Sequence, residues 1–147
     1  MRVLRGDEAA LDADAAIAVR LDPVSPLVAY FVAVAYSTAR RLDRALEFAD
    51  RSLDVDANFV LGHFYRGALL SWQFNRHEEA VTAADRAVAL SDGQSNFLAS
   101  SGAVLARAGR RAEAESILSD LIDRARSSYL DPAALCVLLP RGWIPRP

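Results

Sequence analysis

The chain has 147 residues, of which 52% are hydrophobic and 24% charged, with a formal charge of −2; this fits one domain able to build its own apolar core. Arg and Asp/Glu are mixed throughout, which excludes the basic stripe that a phosphate backbone requires, so nucleic acid is not expected as a direct partner. The opening MRVLRGDEAA lacks the apolar core of a signal peptide, and no apolar run approaches the roughly 20 residues that span a bilayer, so a cytoplasmic chain with no membrane partner is expected.

Six Pro and seven Gly lie mostly between the apolar runs or near the ends, an arrangement that disfavours a fold of many tight turns and points to helices. In chain order the apolar periodicity predicts helices over 8–21, 26–39, 43–54, 60–73, 77–90, 95–108, 111–127 and 132–139. Asp22-Pro23 closes the first. Ser25-Pro26 opens the second and Asp131-Pro132 the last, each a capping residue followed by a proline preset for the first helical turn. After Pro140 the tail RGWIPRP cannot continue a helix and is expected to be irregular. The only cysteine, Cys136, has no partner for an intramolecular disulfide and no companion ligands, so it is read as an apolar filler.

Self-similarity organises these elements. Three stretches align, STARRLDRALEFADRSLDVDAN, WQFNRHEEAVTAADRAVALSDG and LARAGRRAEAESILSDLIDRAR, each a basic turn followed by an alanine and an amphipathic run. The alanines are Ala45, Ala80 and Ala114, spaced by about 34 residues, the period of a helix-turn-helix repeat. Small residues upstream, at Ala33, at Gly67 or Ala68, and at Gly102, suit two helices that cross closely. The sets Ala29-Val32-Ala33-Tyr36, Phe64-Gly67-Ala68-Ser71 and Leu98-Ser101-Gly102-Leu105 loosely meet a W-x-x-L-G-x-x-Y pattern. One extra residue falls between Leu53 and Arg76, which leaves the register of the helix over 60–73 open by one.

On these residues the chain resembles the tetratricopeptide repeat family over roughly residues 8 to 139. It departs from the family in having Ala29, Phe64 and Leu98 where a tryptophan often opens the unit, and in lacking the proline that often closes it. The resemblance implies an all-α helix-turn-helix solenoid, a right-handed superhelix forming a single domain over 1–147. Three full hairpins, about 26–58, 60–92 and 95–128, are flanked by half repeats at 8–22 and 131–139, with an irregular tail over 140–147.

No motif points to catalysis, a cofactor or a metal. Asp54-x-Asp56-x-Asn58 opens like a calcium loop, but Phe59 stands where that loop needs glycine and Tyr65 where it needs the bidentate glutamate, so it reads as a helix end and turn. Asp12-x-Asp14 reads as a solvated helix face. His63 and His77 lie on different helices without further ligands, and His77 is expected to pack in a hairpin turn. Phosphate-cradling glycine loops and nucleophile elbows are absent from the sequence, so no enzyme is expected.

Stacked hairpins of this family line the concave side of the solenoid with their first helices, a surface used for binding. On that side the resemblance places Tyr30, Phe31, Val34, Tyr65, Arg66, Leu69, Trp72 and Asn96, and aromatics with an arginine are typical of binding hot spots. The alternative is that these aromatics pack between adjacent hairpins. Some family members clamp a peptide carboxylate with Lys and Asn on these helices; Leu27, Phe31 and Val34 stand there instead, which removes that specialisation. The expected function is a non-enzymatic scaffold binding a peptide or protein segment in the concave groove. A second reading makes the chain a regulatory or sensor segment of a larger bacterial signalling or transcription-regulating protein, from the wording LDPVSP, DANFVLGHF and SSYLDP. Apolar residues on the terminal half repeats predict a homodimer, or else coverage by Trp143 and Ile144 of the tail.

Overall fold

The computed structural model describes residues 4–127, with side chains described from residue 9 onward. The predicted helix over 132–139, Cys136 and the tail lie outside the described residues. Among those described there are seven helices: α1 Leu4–Leu21, α2 Pro26–Thr38, α3 Leu42–Val55, α4 Val60–Trp72, α5 His77–Leu90, α6 Ser95–Arg107 and α7 Arg111–Ser127. The fold is all-helical and built of helix-turn-helix repeats. It divides into two compact units between Arg66 and Gly67, inside α4.

The local signals act as their chemistry dictates. Ser25 caps α2 by accepting a hydrogen bond from the Val28 N–H (3.2 Å), with Pro26 as the first helical residue, so one otherwise orphaned donor is satisfied. Between α3 and α4, Asp56 Oδ1 accepts from the Asn58 N–H (2.9 Å), the turn expected of that Asx pair.

The turns inside the three repeats differ in length. Ala39–Arg41 and Ala108–Arg110 have three residues, whereas Gln73–Arg76 has four. The Arg41 N–H reaches the Tyr36 carbonyl and the Arg110 N–H the Leu105 carbonyl, both five residues back, but the Arg76 N–H reaches Leu70, six back. The extra residue therefore follows the body of α4. This fixes the register that the sequence leaves open: Ala33, Gly67 and Gly102 are equivalent, as are Tyr36, Leu70 and Leu105. The set beginning at Phe64 is corrected by one residue, to His63-Arg66-Gly67-Leu70.

In the first unit α2 and α3 form a hairpin whose core contains Ala29, Val32, Ala33, Tyr36, Ala45, Phe48 and Ala49, with Ala15 of α1 packed against it. The Tyr36 and Phe48 rings stack with centroids 5.4 Å apart. Buried Ser52 donates its hydroxyl proton to the Ala49 carbonyl (2.6 Å), so no polar group is stranded there. A Cβ at Gly62 of α4 would lie 2.6 Å from the Ser52 hydroxyl oxygen, which shows how closely α4 approaches α3.

In the second unit α6 is buried at Phe97 and continuously from Ala99 to Leu105. It lies between α5 and α7, and Ala99 and Leu121 share a core with Leu98, Ile117 and Leu118. A Cβ at Gly67 would meet the Ala80 carbonyl at 3.2 Å and the Ala84 nitrogen at 3.3 Å. Ala80 is itself fully buried, so glycine and alanine together permit the crossing of backbones. Arg107 of α6 donates to the Ser71 carbonyl at 3.2 and 3.3 Å, and Arg124 of α7 donates to the Gly93 carbonyl at 2.9 Å. The first holds the last turn of α4, where carbonyls otherwise lack partners, and the second ties α7 to the turn between α5 and α6.

Candidate functional site

The candidate residues fall into two groups, one in each unit. In the first, Tyr30 and Phe31 come from α2 and Tyr65 and Arg66 from α4. Phe31 is 59% exposed, and its ring lies edge-on to Tyr30 with centroids 5.2 Å apart. Tyr30 in turn meets Tyr65 at 5.5 Å and Phe59 at 6.3 Å, both in T-shaped geometry, the arrangement favoured by the ring quadrupoles. Burial raises the Tyr30 phenol above its ordinary value, with a smaller contribution from the neighbouring Tyr65, so it stays neutral and polar beside an apolar neighbour. Phe31 also lines an apolar groove of about 280 Å³ between α1 and α2, with Leu11, Val28 and Val32.

Arg66 does not present a free guanidinium to this cluster. Its Nε donates to Asp50 Oδ1 of α3 at 2.6 Å. Val34 is half-buried on α2.

In the second unit Trp72 is 41% exposed, and the Arg107 guanidinium sits 5.5 Å from its ring centroid, an attraction between cation and ring face. Asn96 is exposed at the start of α6, where its Oδ1 accepts from the Phe97 N–H (3.0 Å). Leu69 requires a correction. It is only 4% exposed and belongs to the core, because the register of α4 places it beside the fully buried Leu70 rather than on an open face.

Three features were not singled out from sequence. Phe59, which stands where a calcium loop would need glycine, joins the aromatic cluster; its one signal in the sequence is its place one turn before Gly62 and His63. Arg107 becomes the cation over Trp72. Asp12, read as solvated, is held instead: the Tyr36 hydroxyl and Arg41 Nη1 both donate to its Oδ1 at 2.7 Å. The Tyr36 hydrogen bond, then that of Arg41, holds the Asp12 carboxyl below the usual carboxylate range, while burial first, and the Asp12 hydrogen bond second, push the Tyr36 phenol up.

Among the histidines, His63 Nε2 lies 2.9 Å from the Ala57 carbonyl, and His77 is half-buried with its Nδ1 enclosed. Among the described residues no group of three or more His, Cys, Asp or Glu side chains could hold a metal ion, and no helix is long and apolar enough to cross a membrane.

No family model matches the chain, and no curated protein matches it. Solved structures do. Two crystal structures of MamA match with TM-scores of 0.65 and 0.64, each at 17% sequence identity, over 74% and 77% of this chain. The chain spans 63% of the length of each. The helix-turn-helix units among the described residues, with small residues at the hairpin crossings, and the matching solved structures together give this chain the all-helical tetratricopeptide-repeat fold.

Proposed function

We propose that the chain is a non-catalytic interaction module that holds a peptide or protein segment on the face carried by the first helices of its repeats. The observation that carries this reading is the Tyr30, Phe31 and Tyr65 cluster, in which an aromatic ring stays largely exposed beside an apolar groove. A rigid aromatic anchor at the mouth of an apolar groove is a typical hot-spot arrangement. Tyr30 supports Phe31 from one side, so the ring is already positioned and loses little freedom on binding. The exposed Trp72 with its Arg107 neighbour is a second anchor of the same kind in its own unit.

The test starts from a partner recovered with the purified chain and a peptide mapped from it. Phe31→Ala combined with Tyr65→Ala is expected to weaken that peptide by about 2 kcal/mol or more, roughly thirtyfold, while circular dichroism keeps the helical signal. Wild-type affinity in a folded double variant would remove this surface as the binding site.

A second reading concerns a second copy of the chain. Ile17, Leu21, Val24 and Leu27 are exposed by 44%, 79%, 76% and 44% along the α1 to α2 corner, and such a run of large apolar side chains supports a two-fold dimer through that corner.

A further inference from the structure

Beside the Phe31 groove, with Ala15 lining both, lies a cleft of about 640 Å³ between α1 and α3, lined also by Tyr36 of α2. Four arginines line it, Arg20 from the last turn of α1, Arg41 just before α3, and Arg44 and Arg51 on α3. Asp12 is the sole carboxylate among its lining residues.

Three of the four arginines are held over aromatic rings. Arg41 and Arg44 lie 5.0 and 5.3 Å from the Tyr36 centroid, and Arg44 and Arg51 lie 5.3 and 6.0 Å from that of Phe48. Stacking on a ring pre-orders a guanidinium and leaves its edge N–H groups available to an anion. Two of the four are already paired, Arg41 with Asp12 and Arg44 with Glu47 on its own helix, as Arg111 is with Glu115 and Arg124 with Asp120. Neither Arg20 nor Arg51 has a carboxylate within ion-pair distance among the described residues.

The cleft already binds one carboxylate. Asp12 is gripped there by the Tyr36 hydroxyl and Arg41, both at 2.7 Å, and its carboxyl is held low by those donors. Arg44 is paired with Glu47 on its own helix, which leaves Arg20 and Arg51 as the cations of the cleft with no such occupant. Arg44 and Arg51 are seven residues apart on one helix, so their backbones are separated by roughly 10 Å along its axis. That spacing exceeds a single phosphate or carboxylate and suits acidic side chains repeated along a segment. Ala15, Ala16, Val19 and Pro23 leave an apolar floor on which the stems between the charges can lie.

We propose that the α1/α3 cleft binds an acidic peptide segment, whose carboxylates pair with Arg20 and Arg51 as Asp12 pairs with Arg41, while Arg44, held by Glu47, adds to the positive field of the cleft. This site is separate from the aromatic face and stands or falls independently of it.

The experiment is fluorescence anisotropy with a labelled hexaglutamate peptide on the full chain, at about 0.1 M salt where exposed charges are largely screened. Saturable binding is expected. Arg20→Ala with Arg51→Ala should weaken it by about tenfold or more, since charge-assisted hydrogen bonds are lost. Arg111→Ala with Arg126→Ala removes the same net charge on α7 and should change affinity by no more than about twofold. If Arg51→Ala lowers the helical content, Arg20→Glu alone, at an exposed position, is expected to show the loss instead. Absence of saturable binding, or equal losses in the two double variants, would overturn the site. Tighter binding of an oligothymidylate of the same charge would overturn the assignment to a peptide.

Discussion

Arg40, Asn75 and Gly109 each stand one residue before the arginine that precedes α3, α5 and α7, and all three have positive φ, of 63°, 54° and 80°. Only glycine takes this left-handed conformation without a steric penalty, and asparagine tolerates it better than arginine. Nothing lies within 4 Å of a Cβ built on Gly109, so backbone strain alone decides that position. Arg40→Gly is expected to raise the stability of the chain by about 1 kcal/mol, and Gly109→Ala to lower it by about the same amount. Urea denaturation measures both, and opposite signs would mean that these turns do not have the conformations described. Asp12 gives a second test at this scale. Its carboxyl is held below the ordinary range by Tyr36 and Arg41, so its contribution is fully present above the ordinary carboxylate value and is lost as the pH falls through the lowered one. Asp12→Asn should therefore be less stable than the wild type near neutrality, with the two stabilities converging on acidification. A constant difference down to strongly acidic pH would mean that the carboxylate is not held in the cleft.

At the scale of the elements, the crossing of α4 with α5 depends on Gly67, because a Cβ there would press on backbone atoms of Ala80 and Ala84 that cannot rotate away. Gly67→Val is expected to destabilise by about 1–3 kcal/mol through overpacking, outweighing any gain in helix propensity. Ala80→Leu, at a fully buried position on the facing helix, should do the same by the same route. Thermal melts unchanged in both variants would place the crossing elsewhere. The limits of the helices were legible in sequence, because Ser25-Pro26, Asp22-Pro23 and the amphipathic runs encode them through short-range chemistry, except at the start of α1, which lies at Leu4 where the sequence puts it at residue 8. The register of α4 was not, since an added residue at Gln73–Arg76 looks the same in sequence as one before Val60; the Arg76 to Leu70 hydrogen bond tells them apart. For the same reason the sequence alone puts Leu69 on the surface. Phe31 and Trp72 were legible as aromatics on first helices, whereas the arginine cleft was not. It arises where α1 and α3 meet, and its members are spread from Arg20 to Arg51 with no common period.

For the chain as a whole, its charge and its apolar surface pull in different directions. A net charge of −2 gives little repulsion between copies, while the corner from α1 to α2 leaves Leu21 and Val24 more than three-quarters exposed. Water around two such side chains is released if a second copy covers them, and full burial contributes about 1.5–3 kcal/mol for each. The 147-residue chain is accordingly expected to form a dimer at micromolar concentration in light scattering. Leu21→Ser with Val24→Ser should shift the dissociation constant upward by about a hundredfold and leave the helical content unchanged, because neither side chain belongs to the core of its unit. Phe31→Ala, on the neighbouring peptide face, should leave the dimer intact if the two surfaces are distinct. A monomer at all concentrations up to the millimolar range would rule out association through this corner, and a dimer untouched by the double serine variant would place the contact on another surface.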